Sequence, residues 1–189
     1  MAAQPLTAVG RAHQAKVARF RMKIPRRDSQ RSKVYAGERR ARARLGEAGC
    51  IDMDQMRAQL DAMIAGHGVH SLLKFKKMRG ANAGIRPLAE GGIVHLINVG
   101  DHWAGLNGSL LVMPHEYAHV LCAAATHGPS PVFSREPWHH PVWCAVYLAL
   151  LARHCSPEVA EMVRCGFEAE RVIYAESPAI VRRVLKLEN

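Results

Sequence analysis

Hydrophobic positions in the first part of the chain recur at helical spacing. From Arg27 onward Val34, Tyr35, Ala41 and Leu45 fall on roughly one face. Asp28 or Ser29 stands where a cap is needed and Gly46 where a helix stops, which predicts a long one-sided helix. A second helix, opened by Asp52 or Asp54, carries Met56, Leu60, Met63 and Ile64 and is expected to end at Gly66 and Gly68. The apolar spacing then shortens to that of strands, near 70–76, 83–87 and 92–98, and the stretch from Ile93 to Val99 is the clearest of the three. After Gly108 and Ser109 an apolar helix runs to about Ala125. An irregular stretch from Thr126 to Trp138 with three prolines follows, then helices over 141–154, 157–169 and 178–187. Ser156 caps the second of these, with Pro157 at its first position, and Ser177 with Pro178 opens the third. Helices, then a small sheet, then helices argue an α+β fold around one core.

Charge changes this picture at one end only. The 189 residues carry 26 Lys+Arg against 16 Asp+Glu, a net charge of +10. Residues 1–45 hold 13 of those bases and only two acids, Asp28 and Glu38, so the rest of the chain is close to neutral. Residues 1–26 therefore read as a basic flexible extension and 27–189 as the folded domain. Such a block is either the footprint of contact with nucleic acid or a solvated arm. The acid-free, Arg-rich start shares its composition with transit peptides, but it lacks the apolar region of a secretory signal, and Arg26-Arg27 leads into Asp28 and Ser29 rather than an apolar run. No window approaches the ~20 apolar residues of a membrane span. Five cysteines, an odd number without a Cys-x-x-Cys pair, fit reduced thiols in a cytoplasmic protein better than a disulfide framework.

The candidate chemistry lies on the helix after Ser109, which reads His115-Glu116-Tyr117-Ala118-His119. Residues four apart share a helical face, so both imidazoles can reach one Zn²⁺, with Glu116 one step round beside the water that the metal holds. Zinc lowers the pKa of that water toward ~7, and a neighbouring carboxylate can take its proton during attack on a carbonyl and return it to the leaving amine. In a chain with 11 His the motif alone is only fairly specific. Its setting strengthens it. From Leu110 to Ala125 the other positions are apolar, small or aromatic, apart from Pro114, and burying three such polar groups without partners would cost several kcal/mol. Two core histidines and a salt-bridged Glu are the bland alternative.

A third protein ligand is needed, and His127, Glu136, His139, His140 and His154 are the downstream candidates. Cys122 and Ala125 stand where metzincin spacing requires Gly and His, which excludes that class. Glu136 in a loop and Glu158 at a helix start fit a thermolysin-like ligand poorly. Trp138 and Trp143 are expected to pack the following helix and to give the third ligand its apolar surroundings, Tyr117 to face the core, and His95, His102 and Trp103 to be structural or surface residues near the cleft mouth.

Three stretches carry a resemblance. They are Arg27-Asp28-Ser29-Gln30-Arg31 with Val34-Tyr35, the motif at 115–119, and His139-His140-Pro141-Val142-Trp143 leading into Tyr147-Leu148-Ala149-Leu150. Across about 27 to 173 the chain resembles the SprT-like zincins, and more closely a group of metallohydrolases from actinobacteria and their phages. The resemblance implies a zincin-like fold, with a small, mainly antiparallel sheet packed on an active-site helix and with flanking N- and C-terminal helices. It implies one Zn²⁺ held by His115, His119 and His139, with Glu116 as general base and a peptide or protein as substrate. It also implies that the strand before the active helix, Ile93 to Val99, edges the cleft. The position of His139, just before Pro141 at a helix start, is compatible with that role. His140 replaces a family Gly, and Pro114 replaces an apolar residue, so the regular helix is expected to start nearer Val112 or the site to be slightly distorted. With the basic segment, the resemblance extends to proteins associated with DNA. The competing class is a nucleic-acid-binding accessory protein with a structural metal and no hydrolytic activity.

Overall fold

A computed structural model describes residues 30–88, 93–127, 138–174 and 178–185, without the side chains of Pro87 and His127. These residues form a mixed α+β structure. Helix α1 (Arg31–Leu45) and helix α2 (Met53–His67) precede strands β1 (Ser71–Lys76), β2 (Ala81–Pro87) and β3 (Ile93–Gly100), and α3 (Val112–His127), α4 (Pro141–His154), α5 (Pro157–Ala169) and α6 (Pro178–Val184) follow. Among the described residues no helix is long and apolar enough to cross a membrane.

The helix boundaries follow local chemistry. Asp52 and Gln55 form a reciprocal capping box at the start of α2, and Gly68, at φ 66°, ends it, so Gly66 stays inside the helix. The Ser156 hydroxyl accepts from the Val159 N–H at the start of α5. The segment from Ser109 to Leu111 is a 3-10 turn and regular helix begins at Val112. Pro114 is thus the third residue of α3, in the first turn, where no intrahelical partner awaits its missing N–H. Asp28, Ser29 and Ser177, expected as capping residues, lie outside the described residues, as do the basic extension and most of the loop after His127.

The sheet corrects the expectation of mainly antiparallel strands. Its order is β1-β3-β2, with β1 parallel and β2 antiparallel to β3. From His95 onward β3 is therefore paired on both sides, so it is the central strand rather than the edge of a cleft; β2 is the edge strand that packs most against α3. The connection from β1 to β2 crosses the end of β3 at Gly100, where a Cβ would lie 2.3 Å from the Met78 carbonyl oxygen.

Helices α3 and α4 form the centre of the core, with Leu121, Val146, Leu150 and Leu151 buried between neighbours. Helix α1 lies along α5 at a distance only glycine allows, since a Cβ on Gly166 would stand 2.3 Å from the Gly37 carbonyl oxygen. Val34, Ala41 and Leu45 fill the rest of that contact face, and Glu38 is buried among them.

Candidate metal centre

Helix α3 turns His115, Glu116 and His119 into the interior, and the start of α4 brings His139 against them; all four are buried. One ligand nitrogen from each histidine lies within 4.8 Å of the others, the single such group of three among the described residues. Nε2 of His115 and Nε2 of His139 are 3.3 Å apart. Two nitrogens each ~2.0–2.1 Å from a tetrahedral zinc stand about 3.3 Å apart, so this pair already has the spacing the ion requires. Three borderline nitrogen donors without a hard oxygen cage suit Zn²⁺ better than Mg²⁺ or Ca²⁺.

Trp143 floors the cluster. Its fully buried ring is 4.8, 4.7 and 4.6 Å from those of His115, His119 and His139. Trp138 was expected to pack the same helix; it is instead 43% exposed, with its ring 5.7 Å from His119, at the rim of the site. Tyr117 is core as expected, its hydroxyl donating to the Val69 carbonyl at 2.9 Å. His95 is buried on the central strand, whereas His102 is exposed.

The remaining third-ligand candidates fall elsewhere. His140 caps α4, its Nδ1 accepting from the N–H groups of Val142 and Trp143 at 3.2 and 3.3 Å, so that lone pair is committed to the helix. His154 pairs with His67 at the other end of α4. The His127 side chain and Glu136 lie outside the described residues. His139 itself adopts φ 27°, a strained backbone for a non-glycine residue. The buried Gln30 side chain restrains it there, donating from Nε2 to the His139 carbonyl at 3.0 Å while bonding both backbone groups of Ile173.

Gln30, which stands at the cap position before α1, and two residues of α1 contribute in ways sequence reasoning missed. Tyr35 stacks on the His115 ring at 5.7 Å and meets His139 edge-on at 5.3 Å, with Arg31 beside its hydroxyl. Glu38 places Oε1 2.6 Å from Nδ1 of His115, with both groups buried. Gln30 and Tyr35 belong to the first stretch of the family resemblance and Tyr35 to the predicted helix face, while Glu38 stood out only as one of two acids in the basic first 45 residues.

Electrostatically, Glu38 and Glu116 are the only buried acids among the described residues. Burial pushes both carboxyls up. For Glu38 the charge and hydrogen bond of His115, together with Arg42, outweigh this and hold it below the usual range. For Glu116 burial wins, and the pKa is pushed up to about 7 despite the charge of His115 and an N–H bond donated by Ala83 of β2. A cation held by the three imidazoles would draw Glu116 down again, toward the ionised state a base requires. His115 is raised, because the Glu38 carboxylate overcomes the opposing effect of burial.

Comparison with protein-family models, with curated proteins and with solved structures finds no match.

Proposed function

We propose that this protein is a zinc-dependent hydrolase of the His-Glu-x-x-His type, a small zincin acting on peptide bonds, with His115, His119 and His139 as ligands and Glu116 as general base. The observation that carries the reading is the convergence of three buried imidazoles on one point, with a buried carboxyl on the residue that directly follows one of them. Zinc, when bound, supplies the Lewis acid that makes water a nucleophile near neutral pH. The chain's own groups do the rest. Glu116, oriented by the Ala83 N–H, takes the water proton on a carboxylate oxygen and hands it to the leaving nitrogen. Trp143 and Tyr35 shut bulk water from the ligand rings, and the outer edge of β2 offers main-chain groups to an extended substrate.

The test is Glu116→Gln. It should retain about one zinc per chain while hydrolysis of an unstructured protein falls by about 10²-fold or more. Undiminished hydrolysis, or wild-type protein that holds no zinc after mild chelator washing, overturns the reading.

The exposed face of α1 carries Arg31, Lys33, Arg39, Arg40 and Arg44. That basic face supports substrates associated with nucleic acid, and equally the rival reading of a nucleic-acid-binding protein with a structural metal. The rival reading requires salt-dependent DNA binding that Glu116→Gln leaves intact, with no hydrolysis to lose.

A further inference from the structure

Helix α1 presents an acid to the core where an apolar residue would pack. Glu38 is 1% exposed and lies on the face that Val34, Ala41 and Leu45 otherwise fill with hydrocarbon. Burying a carboxylate costs several kcal/mol unless it is paired, and a well-packed hydrophobe in its place would stabilise the α1 contact at least as well. Packing therefore gives no reason for an acid here; the atoms it touches do.

We propose that Glu38 is a positioning residue for the metal centre, an inference that rests on the metal reading above. An ionised carboxylate can only accept, so Nδ1 of His115, 2.6 Å from Oε1, carries the hydrogen. In the neutral ring that choice leaves Nε2 bare, and Nε2 is the atom 3.3 Å from Nε2 of His139. Glu38 thus selects the tautomer whose lone pair faces the metal position. It also fixes the plane of the ring and adds negative charge behind it, which makes the imidazole a stronger donor. With a cation bound, Glu38 and Glu116 would supply two negative charges beside three neutral imidazoles, matching a divalent ion.

The carboxylate is itself held. Arg42, one turn further along α1, brings a guanidinium nitrogen to 3.7 Å from Oε2, and the Tyr147 hydroxyl lies beside it without closing a hydrogen bond of good geometry. Arg42 in turn lies 4.6 Å over the Trp103 ring and against Gly108, where a Cβ would fall 2.2 Å from the Arg42 Cγ. Gly108, at φ 81°, therefore meets both a backbone and a space requirement that favour glycine. The loop before α3, the basic helix and the ligand His115 are joined through this one carboxylate.

The experiment compares full-length wild type, Glu38→Gln and Glu38→Ala by competition for Zn²⁺ with a chromophoric chelator, and by ¹⁵N-histidine NMR of the metal-free proteins. Glu38→Gln keeps an acceptor but no charge and should bind zinc about 10-fold more weakly; Glu38→Ala should lose about 100-fold. In spectra recorded above the raised pKa of His115, the ring should appear as the Nδ1–H tautomer in wild type and as a mixture in Glu38→Ala. Val34→Ala is the control for loosened packing and should leave both affinity and tautomer unchanged. If Glu38→Ala does not fold, the isosteric Gln variant decides. Zinc affinities within twofold of wild type in the folded variants, or an unchanged His115 tautomer, overturn the positioning role while the metal reading stands. Wild type without zinc affinity overturns both.

Discussion

Nε2 of His115 stands 3.3 Å from Nε2 of His139, and Nε2 of His67 stands 3.1 Å from Nε2 of His154, yet the two pairs are different kinds of object. Nδ1 of His67 faces the Leu185 carbonyl at 3.0 Å, so it carries the hydrogen and leaves Nε2 as the acceptor of a bond from His154. That pair is satisfied by its own protons, and it ties α2 to α4 and to the residue after α6. Burial pushes both rings down, His154 to about 4, with His67 and Arg153 lowering it further. The other cluster has a third imidazole, two buried carboxyls and a raised His115. Proximity of nitrogens is common to both sites. Convergent negative charge belongs to one alone, and it is what supports the proposed cation site there.

The largest effect should come from breaking the cluster. His119→Ala should bring zinc from about one equivalent to near zero by elemental analysis, while His67→Ala leaves it at about one; equal losses would erase the distinction. Next is Gly166→Ala, whose Cβ would press on Gly37 and push α1, with Glu38, away from the centre. Overpacking of this kind should cost about 1–3 kcal/mol by chemical denaturation and weaken zinc binding as well, leaving the His67 and His154 resonances unmoved. The smallest effect is the pH response of the second pair. The folded His154 pKa of about 4 lies below its ordinary 6.5, so the unfolded chain binds the extra proton first. Stability from this pair is full above pH 6.5 and is lost as pH falls from there to about 4. His154→Gln should flatten the corresponding part of a plot of melting temperature against pH, and an unaltered slope would remove the pair from the acid response.

Much of the fold was open to inspection in the residues. Helix starts at Asp52 and Ser156 and stops at Gly46 and Gly68 are local events, each settled within a few residues. The order of the strands was not, because the alternation that marks Ile93 to Val99 as a strand says nothing about whether it is central or at an edge. The same divide runs through the site. His115, Glu116 and His119 are related by one helical turn and so could be read together. Glu38 meets His115 across 77 residues, and Gln30 meets His139 across 109.

By itself, then, the sequence determined which segments are helical or extended, where they begin, and which side chains on one helix share a face, since these depend on spacing and on neighbours along the chain. Only the tertiary structure decided that α1 backs the centre, that β2 is the edge beside Glu116, and that His139 rather than His140 turns inward. Each of these results from packing between elements far apart in the chain, in which a glycine contact, a buried carboxylate and a helix cap compete for the same few ångströms.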